Sequence, residues 1–448
     1  MGVADIGKKD FVWTLLATLF KLGAGVMLFP FILHMLPSET VGIWTIFVTI
    51  AQLTYLFDFG FNASFARNVS YVFSGVRSLK KEGYESVDTK NIDFIDYRLL
   101  GSTISAMRYF YSRIALLLFF LLAIIGTLYI SALVQDYNGD VKEVYVSWTI
   151  LVLINCYNLY TLYYESLLNG RGLVKRVHQI IFIGNVVYIL FAIILILCGG
   201  GLVAIVSSQA ISVILVRYLS RKAFYAKDIT LNLVDNTNDY KEILLAIAPN
   251  AIKVGLTSLG GFIINKSSVF IGSLFVSLEL MASYGITLQL LVVVGMLGGI
   301  VSRVYMPKVF QWRVEGRQDL VKKIFYVSSI VLLIVFLLSG FVIVLWGDWV
   351  LTLLKSETLL LPTNWLILVF IQHYLEYNHS NAAQYLLSKN EVPFFKASLL
   401  SAIGVLILLF IFVVCFDMGV LGMILSPMLV QAIYQNWKWP LEVIKEFR

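Results

Sequence analysis

Three lysines, Lys21, Lys253 and Lys266, stand inside long apolar runs. An ammonium group at bilayer depth is expensive, so such a residue ordinarily faces a water-filled cavity or binds something charged. Asn250, Lys253, Thr257 and Gly261 recur at three- and four-residue intervals, which puts them on one face of a helix. Lys266 follows about three to four turns further along. A stripe of amide, ammonium and hydroxyl suits phosphate and sugar oxygens, each lysine acting as a strongly hydrated point charge. The competing structural reading pairs Lys21 or Lys253 with a buried carboxylate and lets Lys266 snorkel to the interface. Acids are scarcer than lysines inside the apolar runs, which favours a cationic cavity.

A second constellation is Gln372-His373-Tyr374-Leu375-Glu376-Tyr377-Asn378-His379-Ser380-Asn381. Helical spacing gives His373, Glu376, Tyr377, Ser380 and Gln384 a common face. A glutamate with His373 and His379 three residues away on either side can exchange a proton near neutral pH. The stretch therefore reads as an ion-coupling site, with Asp58 as a further acid, or else as a hydrogen-bonded structural network or sugar-binding face. One carboxylate without enforced geometry is a poor metal site, and no metal or cofactor is expected. A third group, Asn155, Tyr157, Asn158, Tyr160, Thr161, Tyr163, Tyr164 and Glu165, offers rings and amides to sugar faces, although tyrosine is also common in membrane interface belts. No phosphate-cradling glycine loop and no Cys-x-x-Cys pair is present, and Cys156, Cys198 and Cys415 read as apolar packing residues. Without a nucleotide site, transport would have to draw on a gradient.

These groups need membrane-spanning elements to position them. With 59% hydrophobic and 14% charged residues among 448, and a mean hydropathy of +0.84, the chain carries too little polar surface for a soluble globular protein. Twelve apolar segments can be laid out, over residues 11–36, 41–61, 109–133, 146–168, 180–197, 202–218, 243–264, 280–304, 324–346, 361–387, 397–416 and 418–437. Alternation from an inside N-terminus puts Arg77/Lys80/Lys81, Arg171/Lys175/Arg176, Arg217/Arg221/Lys222/Lys227, the run from Arg303 to Lys323, and Lys389/Lys396 on one side. The positive-inside rule makes that side cytoplasmic, with both termini there. The net charge of +7 is then explained by anionic inner-leaflet lipid and needs no nucleic acid.

The polar stretch around Asp235-Asn236-Thr237-Asn238-Asp239 divides the spans six and six. The expected organisation is an N-lobe over 1–219, a cytoplasmic linker over 220–242 and a C-lobe over 243–448, as in two-lobed carriers that rock about a central site. A weak internal repeat agrees with it. Lys21 and Lys253 each lie about halfway along the first helix of a half; Ser38-Glu39 with Gly42 and Trp44 corresponds to Ser277 and Glu279 with Tyr284-Gly285.

The segment Phe57-Asp58-Phe59-Gly60-Phe61-Asn62-Ala63-Ser64-Phe65-Ala66-Arg67, with Leu36-Pro37-Ser38-Glu39-Thr40-Val41-Gly42-Ile43-Trp44 before it, resembles the N-terminal pattern of Wzx-type polysaccharide flippases. Ser283-Tyr284-Gly285 is similar to their second-half counterpart. That family belongs to the MOP superfamily, with the MATE drug antiporters and the lipid II flippases. The resemblance implies an all-α membrane protein of twelve transmembrane helices in two six-helix lobes, V-shaped around a central cavity. It also implies a bacterial cytoplasmic membrane location and no enzymatic activity. The implied substrate is an undecaprenyl-pyrophosphate-linked oligosaccharide, with membrane lipids and a polysaccharide polymerase or assembly proteins as partners. Basic cavity residues of the family correspond here to Lys21, Lys253 and Lys266, with Arg67 near the inner mouth and Asn250 beside Lys253. A MATE-like organic-cation antiporter would instead need an excess of acids. A membrane-embedded glycan polymerase or transferase would need large polar loops.

Overall fold

A computed structural model of the protein describes residues 28–73, 76, 95–225, 240–314, 316–388 and 393–447. Among the described residues every regular element is a helix. They are α1 (28–35), α2 (Ser38–Phe57), α3 (Phe61–Phe73), α4 (Tyr97–Leu133), α5 (Val141–Tyr160), α6 (Tyr163–Gly170), α7 (Val174–Leu197) and α8 (Gly201–Phe224). Then come α9 (Tyr240–Gly272), α10 (Leu278–Gly298), α11 (Ile300–Val314), α12 (Gln318–Leu353), α13 (Thr363–Leu387), α14 (Phe395–Cys415), α15 (Gly419–Ile433) and α16 (Gln435–Glu446). Each of the twelve expected segments falls on helix, the first being described only from residue 28. Among the described residues seven helices are long and apolar enough to cross a bilayer: α2, α4, α7, α8, α10, α12 and α14.

Sequence determines the helix ends locally. Asp96 opens α4 by accepting from the backbone N–H of Arg98 at 3.0 Å and Leu99 at 2.9 Å, and Asp140 opens α5 through Lys142 N at 2.9 Å. Two spans carry a π-helical turn, Leu122–Gly126 in α4 and Phe410–Cys415 in α14. The first is where the Trp148 ring lies on Gly126 and its indole donates to Thr127 Oγ1 at 2.9 Å.

Apolarity alone does not decide which way a span faces. On α12, Phe325, Ser328, Leu332 and Phe336 recur every three or four residues and are buried, whereas Leu337, Phe341 and Leu345 are more than half exposed. Exposed leucine and phenylalanine belong on such a helix, because hydrocarbon is as apolar as they are.

Contacts divide the chain into two compact units, one containing residues up to Ile46 together with Gly260 onward, the other Phe47–Leu259. The N-terminal part of α2 packs within the unit of the C-terminal helices, and residues 240–259 of α9 belong to the other unit. A Cβ on Gly42 would lie 2.2 Å from the Leu278 carbonyl oxygen, and one on Gly285 would lie 2.2 Å from Thr45 Oγ1. The glycines of the two repeated sequence segments are thus the points at which α2 and α10 touch. Gly42→Leu is expected to cost about 2 kcal/mol or more, since the obstructing atom is backbone and cannot rotate away. Gly261→Ala, which meets nothing within 4 Å, is expected to be neutral or slightly stabilising. Thermal unfolding of the purified protein in detergent measures both.

The unit Phe47–Leu259 is tied by a buried polar network. Asp58 ends α2 and caps α3: its carboxylate oxygens accept from Asn62 N at 3.0 and 3.1 Å, and Oδ1 also accepts from the Tyr111 hydroxyl at 2.5 Å. The intervening turn puts Phe59 and Gly60 at φ of 48° and 73°. On α8, Arg217 is only 5% exposed. Its Nη2 donates to Asn158 Oδ1 at 2.7 Å, and Nη1 lies 3.7 Å from Glu165.

Candidate functional site

A second polar feature lies in the other unit. A cavity of about 340 Å³ is enclosed by α9, α10, α11, α12 and α13. From α13, His373, Glu376, Tyr377, Ser380 and Gln384 all line it, together with Asn381. These include all five residues that helical spacing places on one face. A helix with such a polar face can stay in an apolar bundle only if that face meets water, ligand or other polar groups.

Three features create the space. Gly295 of α10 lets the Tyr377 ring lie directly against the helix, since a Cβ there would come within 2.0 Å of the ring. Gly298 and Gly299 follow on the cavity side, where α10 gives way to α11. Phe336 of α12 packs on Tyr374 and Tyr377 with ring centroids 5.8 and 5.7 Å apart, fixing the rotation of α13. Behind this wall Ser302 donates to Asn381 Oδ1, and Asn381 Nδ2 donates to Ser328 at 3.1 Å and Ser329 at 3.4 Å. Asn381 is therefore held by the protein, leaving Glu376, Ser380 and Gln384 as the freer polar groups of the face. Gly295→Leu would drive its side chain into the Tyr377 ring and close the cavity. Its expected result is loss of at least nine-tenths of transport, an effect of about 1.4 kcal/mol or more on the transported state, with membrane insertion retained. Transport normalised to protein in the membrane reads this.

The charged lining is Lys266 from α9, Arg303 from α11 and Glu376 from α13, with His373 beside them. Lys266 acts electrostatically on both Glu376 and His373, and the Asn265 amide hydrogen-bonds the Glu376 carboxylate. Glu376 Oε2 is buried without a hydrogen-bond partner. Arg303 acts on Tyr377, one residue further along α13. Two cations and one carboxylate leave the lining net positive when histidine is neutral.

The sequence-derived candidates fall into distinct places. Lys266, His373 and Glu376 are brought together in the cavity. Lys21 lies outside the described residues, and Lys253 and Asn250 sit on α9 with side chains outside the described set. His379, on the same helix as Glu376, is directed elsewhere: it is buried and its Nδ1 bonds Asn436 Oδ1 of α16 at 2.9 Å. Asp58 caps α3, and Arg67 is exposed on that helix, so neither belongs to this cavity. Two arginines are placed otherwise than their assignment to cytoplasmic basic clusters suggests. Arg217 is buried in the polar network of the Phe47–Leu259 unit. Arg303 is a cavity residue that spacing from Gly299 and Ser302 on a helix could have revealed.

No protein-family model and no curated protein sequence matches the chain. Solved structures do. The chain is similar to a structure of the lipid II flippase MurJ in an inward closed conformation, at 15% identity and a TM-score of 0.65, over 97% of this chain and 87% of that one. It is also similar to an inward-facing multidrug resistance MATE family transporter of the MOP superfamily, at 14% identity and a TM-score of 0.62, over 96% and 95% of the two chains. A third similarity, at 13% identity and a TM-score of 0.51 over 98% and 97%, is to a MOP superfamily transporter from Pyrococcus furiosus described as having a binding pocket of reverse polarity. The fold of this chain is that of MOP-superfamily transporters.

Proposed function

We propose that the protein is a flippase that carries a polyprenyl-pyrophosphate-linked oligosaccharide across the bacterial cytoplasmic membrane. The observation that carries this reading is the cavity with Lys266 and Arg303 against the single carboxylate Glu376. A diphosphate is matched by cations on a low-dielectric wall, whereas an organic cation is repelled by them. Amide and hydroxyl groups from Ser380 and Gln384, with the Tyr377 ring, supply the mixture of hydrogen bonds and flat apolar surface that sugars use. Similarity to a lipid II flippase supports the same class. Lys21, Lys253, Asn250 and Arg67 remain candidate head-group contacts in this proposal, each to be tested by substitution, and the isoprenoid tail stays in lipid while the head crosses. Membrane lipids, and polymerase or assembly proteins on the receiving side, are the partners that follow.

One observation favours a second reading, a MATE-like cation antiporter: the unpartnered oxygen of Glu376 is a group that a cation or proton could occupy. Reconstitution separates the two. In proteoliposomes loaded with a fluorescent polyprenyl-pyrophosphate oligosaccharide, the flippase makes the label accessible to an external glycosidase with time. A vesicle that instead exchanges protons for ethidium, and leaves the lipid-linked sugar in place, belongs to the antiporter.

A further inference from the structure

Outside the transport cavity, the described residues contain a long apolar groove on α14, α15 and α16. Lys396, Leu400, Gly404 and Leu408 follow one face of α14 at four-residue intervals, so the groove runs along the helix axis. The twelve helical rises from Lys396 to Leu408 make it about 18 Å long, somewhat more than half of the roughly 30 Å hydrocarbon core of a bilayer. Leu400 and Ile433 on its rim are 70% and 74% exposed. On a span this apolar, that exposure is to lipid.

The groove has a polar end. Lys396 stands there, in the first turn of α14, and Tyr434 and Trp439 line the same region, with the Trp439 ring 6.0 Å from Phe394 and 5.7 Å from Tyr434. Trp439 is 3% exposed, yet its indole N–H has no acceptor. A buried donor of this kind ordinarily finds a partner. The lining contains no acid. A cation, an unsatisfied N–H and an interfacial aromatic pair at one end of an apolar trough match a phosphate or ester headgroup above an acyl chain.

We infer that this groove binds one acyl chain of an anionic phospholipid from the leaflet on the Lys/Arg-rich side, with the phosphate at Lys396 and an ester or phosphate oxygen accepting from Trp439. The length of the groove selects the occupant: it fits an acyl chain spanning one leaflet, and a long polyprenyl chain would overrun it. This site goes beyond the transport reading and stands whether or not the carried molecule is a lipid-linked sugar.

Brominated lipids test it, because bromine quenches tryptophan only at contact. The protein is placed in phosphatidylcholine vesicles and titrated with phosphatidylglycerol brominated in mid-chain, the Trp439 signal being taken as the difference from Trp439→Phe. The expected result is preferential quenching by brominated phosphatidylglycerol over brominated phosphatidylcholine. Lys396→Gln should lower that preference by about fivefold, the effect of one interfacial lysine on an anionic lipid. Lys438→Gln, a lysine outside the groove that pairs with Glu442 at 2.6 Å, should leave it unchanged. Equal loss in both variants would show a diffuse basic surface and overturn the site. So would equal quenching by the two lipids, or displacement of the brominated lipid by equimolar polyprenyl phosphate.

Discussion

Lys266→Glu is expected to reduce flipping of a polyprenyl-pyrophosphate-linked oligosaccharide in proteoliposomes by on the order of a hundredfold, while the protein still inserts. The substitution removes one of the two cations among the described cavity residues and sets a second carboxylate near Glu376. Two units of charge change within reach of the same ligand. At an effective dielectric of about 20 and separations of about 8–10 Å, each contributes roughly 2 kcal/mol. Their sum of about 4 kcal/mol exceeds the 2.8 kcal/mol or so needed for a hundredfold effect and leaves about a third of it to be lost to screening. Lys266→Arg keeps the charge and should retain most activity, with some loss because a guanidinium fork is not shaped like an ammonium. The exchange Lys266→Glu with Glu376→Lys separates structure from function. If Lys266 served only to neutralise Glu376, the exchanged pair would restore both thermal stability and transport. A ligand-binding lysine predicts recovered stability with transport still impaired, because the cation has moved to α13. Wild-type flipping by Lys266→Glu would end the anion-binding proposal.

How much of this was legible in the sequence depends on the kind of signal. Spans are read from unbroken apolarity, and α4, α7, α12 and α14 declare themselves that way. The polar face of α13 was legible because a run of ten mostly polar residues has a single helical arrangement, and every residue assigned to that face lines the cavity. Gly42 and Gly285 could be matched as a repeat. That they mark the crossing of α2 and α10 depends on packing, which no one-dimensional pattern records.

Arg303 and Arg217 were obscured by the same rule that oriented the chain. A basic residue near the end of a span counts toward the positive side whether it reaches water or turns inward, and only the opposing helix decides. Arg217 turns inward because Asn158 and Glu165 are there to receive it. His379 shows the converse. Three residues from Glu376 is close enough to suggest a shared face, as it does for His373, but Asn436 from α16 completes the environment of His379 instead.

Glu376→Gln should tighten binding of undecaprenyl pyrophosphate by roughly tenfold. Glu376 is the one acid among the described lining residues, so its charge opposes any anion that approaches Lys266 and Arg303. Removing a unit charge about 10 Å from the ligand in a medium of effective dielectric about 20 is worth some 1–2 kcal/mol, and about 1.4 kcal/mol is a factor of ten. Titration of the detergent-purified protein measures this directly. The same substitution removes the one carboxyl proton carrier among the described lining residues, so flipping by the variant should no longer respond to a pH gradient. It should continue to respond to membrane potential: moving negative charge outward from a negative interior is favourable by about 2.3 kcal/mol per charge per 100 mV. Valinomycin-imposed potentials in potassium-loaded vesicles distinguish that drive from proton coupling. The cation-antiporter reading requires the reverse pattern, because there Glu376 is the attractive charge and its neutralisation abolishes efflux. Weaker pyrophosphate binding by Glu376→Gln would therefore count against the anionic substrate, and an unaltered pH response would remove Glu376 from ion coupling.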